Sequence, residues 1–308
     1  MPLRFLFLML MTLASLNAAA LEKNTTEDCA HESLTLQVLG SGGPELDDGL
    51  DGSSYLVWLG PNAAVLVDTG PGSASRFGEV GARFETLEAI LYSHLHVDHS
   101  ADLPAYVKGS FFTPRDKNLL VIGPDGNKIM PSTSEFLKRL FGAEGAFSYL
   151  QGYLSSGKES YVLEGIDVPL SKGSVFNRSL PNGLNITAAP VNHGPIAAIG
   201  WRIQKGDCSM VFSGDTSNKD GALSALLIQG TDIFVAHNAV PEGTKGVARN
   251  LHMPPSEIGK LAAQANVRTL VLSHFMNRTR NNKTETLNAI RKFYTGRVIF
   301  AEPLHIVQ

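Results

Sequence analysis

The chain has 308 residues, of which 43% are hydrophobic and 18% are charged, so it is long enough to bury a sizeable core. Its formal net charge is −3 and it contains no long basic run, so nothing in the composition argues for a polyanion as the main partner. We therefore expect a small-molecule substrate and no stable nucleic-acid partner.

The N-terminus has the features of a signal peptide. Arg4 precedes an apolar run over residues 5–16, and residues 18–20 are alanines that suit cleavage. An uncleaved membrane anchor is the alternative, but about a dozen apolar residues are short for a bilayer span. We expect residues 1–20 to be removed and residues 21–308 to form a single domain, periplasmic or secreted, with no membrane contact after cleavage.

The sequence contains two cysteines, Cys29 and Cys208. In an oxidising compartment they could pair and tie the mature N-terminus to the second half of the chain. Alternatively, Cys208 is a small buried residue at the start of a strand. Both interpretations stay open at this point.

Strand patterns dominate the first part of the chain. Alternating apolar residues over 34–39 predict a strand that runs into a glycine-rich loop. No Gly-Lys-Ser/Thr follows this loop, so a nucleotide site is not expected. Strands over 54–59 and 63–68 flank a Gly-Pro-Asn turn and predict a hairpin, and the apolar run 87–91 predicts a short buried strand.

The central region combines helical spacing with a polar insertion. Helices are predicted over 101–112 and 134–141, the second with Ser134 as its cap, and a strand over 119–122. Residues 142–182 are polar and rich in Gly and Ser. They are interpreted either as a lid over the substrate pocket or as an ordinary surface insertion.

The second half repeats the mixture of strands and helices. Its predicted strands cover residues 184–191, 198–203, 209–212, 232–236, 268–272 and 298–301, and its predicted helices cover 221–229, 255–265 and 284–294. Strand clusters flanked by helices in both halves favour two sheets packed face to face with helices outside. We therefore predict an α+β protein built as a four-layer αββα sandwich.

Four potential metal ligands lie within six residues directly after the 87–91 strand. The sequence there is His94-Leu95-His96-Val97-Asp98-His99. Imidazole nitrogens and carboxylate oxygens suit zinc or another borderline divalent ion. A lone histidine is usually an ordinary core or surface residue, but four clustered ionisable groups are costly to bury without a cation. The motif therefore predicts a metal site.

This motif resembles the signature of the metallo-β-lactamase-fold hydrolases. In that superfamily the His-x-His pair holds one metal, the Asp-His pair holds a second, and three more ligands follow downstream. Candidates for those three come after apolar runs in the family's order, and the full set that the resemblance implies is His94, His96, Asp98, His99, His193, Asp215 and His274. Asp68 resembles the aspartate of the family's first motif, which supports the ligands. The resemblance also implies the αββα fold, with the metals at one edge.

Within the superfamily, the C-terminal part is most similar to ribonuclease Z and its phosphodiesterase relatives. His252, before a predicted helix, resembles an additional histidine that assists chemistry at phosphorus in that group. The segment around His237 resembles the preceding histidine motif, but Asn238 stands where the family usually has Glu. The acid–base role of that carboxylate therefore does not carry over. The glycine-proline-rich arm that clamps tRNA in the group is not seen in this sequence.

The resemblance implies a dinuclear hydrolase with two divalent ions, zinc being the first choice. His94, His96 and His193 would hold one ion, Asp98, His99 and His274 the other, and Asp215 would bridge them. A hydroxide between two cations would be a nucleophile at neutral pH. We expect His252, and with it His237, to bind the developing oxyanion or protonate the leaving group, and Asp98 to act in catalysis as well as binding metal.

Several alternatives remain on this scaffold. Phosphodiesters or related esters are the expected substrates, but lactones, sulfate esters and β-lactams can be cleaved by the same kind of metal site. The non-hydrolytic alternative is a metal-binding or di-iron redox protein. A homodimer is left open.

Overall fold

The computed structural model describes residues 34–155 and 158–308. The predicted signal peptide (residues 1–20) and Cys29 lie outside these ranges, so cleavage and the Cys29–Cys208 pairing stay predictions. Cys208 itself is buried. Within the part of the chain that the structure describes, no helix is both long enough and apolar enough to cross a membrane.

Strands and helices alternate along the described residues. The strands are β1 (Leu34–Gly40), β2 (Ser54–Leu59), β3 (Asn62–Val67), β4 (Ala89–Leu91), β5 (Leu119–Pro124), β6 (Leu163–Val168), β7 (Phe176–Ser179), β8 (Asn185–Pro190), β9 (Ile199–Lys205), β10 (Cys208–Phe212), β11 (Ile233–His237), β12 (Thr269–Ser273), β13 (Arg297–Phe300) and β14 (Ile306–Val307). The helices are α1 (Ser73–Glu79), α2 (Val97–Ser100), α3 (Leu103–Ser110), α4 (Thr133–Phe141), α5 (Gly246–Leu251), α6 (Pro255–Gln264), α7 (Asn277–Arg280) and α8 (Lys283–Arg291).

These strands form two mixed sheets of similar design. The first has the order β14-β1-β2-β3-β4-β5-β6 and the second the order β13-β12-β11-β10-β9-β8-β7. In the first sheet β1, β2 and β3 are antiparallel, and β3 to β6 are parallel. In the second, β7 to β10 are antiparallel and β10 to β13 are parallel. Each half of the chain therefore supplies most of one sheet.

Apolar side chains divide the molecule into four layers. One cluster lies between the sheets, where Val65 of β3 packs in the same core as Trp201 of β9. A second cluster packs α3 and α4 on the first sheet, and a third packs α6 and α8 on the second. The layers arise because successive side chains of a strand point to opposite faces of the sheet. Along β12, Val271 lies in the core between the sheets, while Leu270 and Leu272 lie in the core that faces the helices. The predicted αββα sandwich is confirmed.

The structure differs from the sequence prediction in three segments. Residues 142–182 contain β6 and β7, the outermost strands beside β5 and β8, so part of this stretch belongs to the sheets. Residues 221–229 form only a short 3₁₀ turn at Ala222–Ala225. The N-cap of α4 is Ser132, whose side chain accepts from the Glu135 amide, whereas Ser134 binds Asp167. In each case a tertiary or capping contact outweighs local spacing.

Candidate metal centre

The predicted ligands come from loops that leave the carboxyl ends of strands. His94 and His96 follow β4, and Asp98 and His99 lie in the one-turn helix α2 that comes next. In the second sheet the ligands follow β8, β10 and β12, namely His193, Asp215 and His274. Neighbouring parallel strands end at the same edge of a sheet, which brings residues far apart in sequence to one place.

The side chains converge into two groups that could each hold one metal ion. The first group is His94, His96, His193 and Asp215, and the second is His99, Asp215, His237 and His274. Within each group one ligand atom per residue lies within 4.8 Å of the others. Asp215 belongs to both groups, which is the arrangement expected of a bridging carboxylate.

The second group differs from the expectation in one member. His237 occupies the place that was expected for Asp98. Asp98 is nevertheless close, because its Oδ2 atom lies 3.5 Å from His99 Nε2 and 3.2 Å from His274 Nε2. The geometry therefore offers two candidates, Asp98 and His237, for the same position beside His99 and His274.

Hydrogen bonds on the outer side of the rings fix which nitrogen faces the cluster. His99 Nδ1 lies 2.7 Å from Asp68 Oδ2, and His193 Nδ1 lies 3.0 Å from the carbonyl oxygen of Leu251. Carboxylates and carbonyls only accept, so both Nδ1 atoms carry the hydrogen and both Nε2 atoms keep a lone pair. Asp68 also accepts from the amide and hydroxyl of Ser93. Such outer contacts orient metal-binding histidines.

The residues present fit a pair of divalent ions. His99 Nε2 and His193 Nε2 are buried and make no hydrogen bond within the described residues. Buried polar atoms without a partner are costly. A cation that accepts their lone pairs would remove this cost, and nitrogen and carboxylate donors are the set that zinc prefers.

The carboxylates of the cluster are held in the ionised form. Burial raises the pKa of Asp98, but the neighbouring imidazoles of His99 and His274 outweigh burial and hold the pKa well below its usual value. Burial also raises the pKa of Asp215, but the neighbouring His274 and His252 outweigh burial and hold that pKa well below its usual value. Both carboxyl groups therefore remain negatively charged in the metal-free protein at neutral pH.

Charge is divided unevenly among the histidines. Burial opposes a charge on His274 and His99, but nearby carboxylates, chiefly Asp215 for His274 and Asp98 for His99, raise the pKa of each ring. For His94 burial and the charge on His99 lower the pKa well below its usual value. In the metal-free protein, a proton on His274 thus helps to balance the buried carboxylates.

His252 and His237 lie beside the cluster in different surroundings. His252 is 9% exposed, its Nδ1 atom is 4.0 Å from Asp215 Oδ2 and makes no hydrogen bond, and burial lowers its pKa to about 3. His237 is deeper, with Nδ1 2.8 Å from Asp215 Oδ1, and burial lowers its pKa to about 4. Both rings are neutral at pH 7. Asn238 is fully buried and donates to the Val240 carbonyl.

Two features of the site were not found from the sequence. Asp68 and His274 have positive φ values of 58° and 56°, which are uncommon for residues other than glycine and often occur at functional sites. Tyr55 contacts His237, although the sequence pattern around Tyr55 indicates only an ordinary aromatic core residue of a strand. No pattern within a single strand could have indicated that contact, since the two residues are 182 positions apart.

Comparisons with known proteins agree with this geometry. A family model described as the metallo-β-lactamase superfamily matches residues 47–115, and one described as a β-lactamase superfamily domain matches residues 161–275. The structure of the metallo-β-lactamase fold protein YhfI from Bacillus subtilis is similar with a TM-score of 0.67 at 21% identity, covering 89% of this chain and 99% of that one. The structure of human tRNase Z, short form, is similar with a TM-score of 0.67 at 17% identity, covering 89% of this chain and 98% of that one. These likenesses show the fold.

A relative with a similar sequence shows to which group within the superfamily the chain belongs. Ribonuclease Z of Mycolicibacterium paratuberculosis is 30% identical over 290 residues, which cover 89% of this chain and 98% of the relative. The chain therefore belongs to the metallo-β-lactamase superfamily of metal-dependent hydrolases, within the group of ribonuclease Z and its phosphodiesterase-like relatives.

Proposed function

We propose that this chain is an exported hydrolase that uses two divalent ions, zinc first, to cleave small phosphodiesters or related esters. The observation that carries the proposal is the pair of ligand groups sharing Asp215, with His252 standing beside them. Ribonuclease Z relatives support chemistry at phosphorus. Export is supported by Arg4 and the apolar run that follows it.

The residues of this chain have separable tasks in that reaction. Two bound cations would supply water activation and stabilisation of charge on the attacked group. His94, His96 and His193 would hold one ion, and His99 and His274 with Asp98 the other. Asp68 and the Leu251 carbonyl fix the rings of His99 and His193, so the ligands are placed before substrate arrives.

His252 is positioned to contact the substrate. It is neutral at pH 7 and keeps one N–H, and its unpartnered Nδ1 faces the cluster. With the hydrogen on Nδ1, the ring can donate to an oxygen on which negative charge develops. Its ring centroid lies 5.3 Å from that of His193 and 5.8 Å from that of His274, between the two ligand groups. Stabilising charge that appears only in the transition state would raise turnover.

Charge near the site favours a small substrate over RNA. The loop between β1 and β2 lies against His274, since a Cβ added to Gly43 would be 2.9 Å from His274 Cε1. This loop carries the carboxylates of Glu45, Asp47, Asp48 and Asp51. Arg76 pairs with Asp51 and Arg280 donates to the carbonyl oxygen of Asp48, which still leaves an excess of negative charge. Negative charge beside the metals disfavours a polyanion. The name of the ribonuclease Z relatives points the other way, so the test below includes RNA.

Metal analysis combined with a substrate screen tests the proposal. The purified protein should carry two zinc ions per chain and hydrolyse bis-p-nitrophenyl phosphate or cyclic nucleotides faster than precursor tRNA, lactones, aryl sulfates or nitrocefin. Preferred cleavage of precursor tRNA would overturn the small-substrate assignment. Preference for a lactone, an aryl sulfate or nitrocefin would replace the phosphodiesterase assignment by that activity.

A further inference from the structure

Four exposed aliphatic side chains lie on the segments that surround the metal centre. They are Leu46 in the β1–β2 loop, Val97 in α2, Ile129 in the β5–α4 loop and Val247 in α5, and each is between 62% and 101% exposed. Single exposed aliphatic side chains are normal on a protein surface. In the part of the chain that the structure describes, however, these four outnumber the other large exposed aliphatic residues, Val175, Ile228 and Ile306. We call the four the rim residues.

The metal centre is open to solvent beside Val97. Of the residues in the two ligand groups, His96 is partly exposed, whereas all the others are buried. Val97 follows His96 directly in the chain. A substrate that reaches the ions from solvent therefore passes this side chain.

A hydrogen bond places the loop of Ile129 on the same side of the centre. The ring centroids of His96 and His193 are 5.2 Å apart, so the loop that follows His193 also borders the opening. The side-chain amide of Asn127 donates to the carbonyl oxygen of Pro195 in that loop at 3.0 Å, and Asn127 Oδ1 accepts from the Ile129 amide at 2.8 Å. Ile129 is thus held next to the loop of His193.

Val247 reaches the opening through α5. The carbonyl oxygen of Leu251 accepts from His193 Nδ1 at 3.0 Å, and a Cβ added to Gly194 would lie 2.7 Å from Leu251 Cδ2. Residues four positions apart lie on the same face of a helix. Val247 therefore lies on the face of α5 that Leu251 turns towards the His193 loop.

Leu46 lies beside the second ligand group. A Cβ added to Gly43 in its loop would be 2.9 Å from His274 Cε1. Further along the loop, Asp47 Oδ1 accepts from the side-chain amide of Asn277 at 3.1 Å. These contacts hold the loop against the segment that contains His274, so the rim residues border both ligand groups.

We propose that the rim residues bind an aliphatic chain of the substrate, so that the phosphodiester or related ester carries an alkyl or acyl group. This inference rests on the proposed function and names its substrate class. Aliphatic side chains gain free energy by burying apolar surface, whereas nucleobases are held chiefly by stacking on aromatic rings. The exposed aromatic residues among those described lie elsewhere, after α3, in residues 148–154 and after α8: Phe111, Phe112, Tyr149 and Phe293.

Substrates that differ only in chain length measure this preference. The probes are p-nitrophenyl methyl phosphate and p-nitrophenyl hexyl phosphate, used with the full chain below the concentration at which the longer one forms micelles. Each fully buried methylene is worth about a factor of four in affinity. With partial burial of the chain, kcat/KM should be about 10- to 100-fold higher for the hexyl ester. Equal values for the two substrates would overturn the proposal.

Ile129→Ser and Val247→Ser assign the preference to the rim residues. The hexyl-to-methyl ratio of kcat/KM should fall about threefold in each variant and about tenfold in the double variant. A general loss of stability or of metal lowers both kcat/KM values and leaves their ratio unchanged. The matched control is Ile306→Ser, because Ile306 is 62% exposed like Ile129 but lies on the edge strand β14. A wild-type ratio in the double variant, or an equal fall in the control, would overturn the proposal.

A bilayer surface is the competing occupant for exposed aliphatic side chains. The loop of Leu46 also carries Glu45, Asp47 and Asp48, which anionic headgroups would repel, and this favours a substrate chain. In co-sedimentation with phosphatidylcholine–phosphatidylglycerol vesicles, the wild-type chain should stay in the supernatant. Vesicle binding that the double variant loses would assign the rim residues to a membrane surface and refute the proposal.

The hydrolysis data also separate this inference from the proposed function. Cleavage of phosphodiesters without a chain-length preference would keep the proposed function and remove the inference. Failure to cleave phosphodiesters, together with a preference for p-nitrophenyl hexanoate over p-nitrophenyl acetate that the double variant loses, would remove the phosphodiester assignment and keep the role of the rim residues.

Discussion

Histidines of identical chemistry carry different charges in this cluster because their neighbours differ. Asp215 raises the pKa of His274 well above its usual value, whereas burial and the charge on His99 hold the pKa of His94 well below it. A metal ion needs the neutral ring, so it must displace the proton that His274 carries in the metal-free protein. Metal binding and protonation therefore compete at His274.

Zinc binding should release at least one proton at pH 7. A raised pKa means that protonation of His274 persists at neutral pH without metal, so zinc affinity should rise as the pH increases through the pKa of that residue. Calorimetry in two buffers with different ionisation enthalpies measures the released protons. Equal binding enthalpies in both buffers would show that no proton leaves.

His252→Ala and Asp215→Ala should separate contact with substrate from metal binding. The first removes a donor beside the cluster, and turnover of phosphodiesters should drop by about 10²- to 10⁴-fold with both metals retained. The second removes the shared carboxylate and should lose metal together with activity. Metal analysis of each variant accompanies the kinetics. Near-normal turnover in His252→Ala would favour a mechanism that depends on the metals alone, as in a lactonase.

At the scale of elements, the close approach of α6 to α8 depends on one glycine. A Cβ added at Gly259 would lie 2.8 Å from the carbonyl oxygen of Ile290 and 2.9 Å from its Cα. Both are backbone atoms of α8, so the helices would have to move apart. These helices cover the second sheet, whose strands deliver Asp215 and His274.

Gly259→Ala should destabilise the protein, and Gly78→Ala is its control. Overpacking costs about 1–3 kcal/mol, so the urea midpoint of Gly259→Ala should fall. Gly78 is also helical, in α1, but a Cβ there meets nothing within 4 Å. There alanine should stabilise by about 0.4–1 kcal/mol through the entropy of the unfolded chain. A raised midpoint for Gly259→Ala would show that α8 adjusts at no cost.

At the scale of the whole molecule, neither half of the chain could build the site alone. The first half supplies His94, His96, Asp98 and His99, and the second supplies His193, Asp215 and His274. The two are joined by buried polar contacts such as the Trp201 indole, which donates to the Tyr92 carbonyl oxygen at 3.0 Å. The packing of the two sheets therefore fixes the spacing of the metal ligands.

The predicted signal peptide determines where the mature chain should begin. Arg4, the apolar run over residues 5–16 and the alanine triplet predict cleavage after residue 20. Protein recovered from its native host should begin near Leu21, as N-terminal sequencing or intact mass would show. A soluble protein that keeps Met1 would refute a periplasmic or secreted location.

The sequence by itself determined the fold class and the ligand-bearing loops. The alternation in β1, the apolar runs of β2 and β3 and the Gly-Pro-Asn turn between them are local properties, so these strands were predicted to within a residue of their ends. The His-x-His-x-Asp-His motif is equally local, because four donors so close together have few other uses. The strands β6 and β7 were not predicted, because their local sequence lacks a clear strand pattern. They form by pairing with β5 and β8, and these pairings cannot be inferred from the local sequence.

Only the tertiary structure decided the arrangement around Asp215. From sequence, His237 and His252 were both assigned to catalysis, but in the structure both ring nitrogens of His237 are engaged and His252 keeps an unpartnered atom. The contact between Tyr55 and His237 crosses the interface between the two sheets. Hydrogen-bond partners are set by the packing of distant strands, and periodicity within one strand holds no information about them.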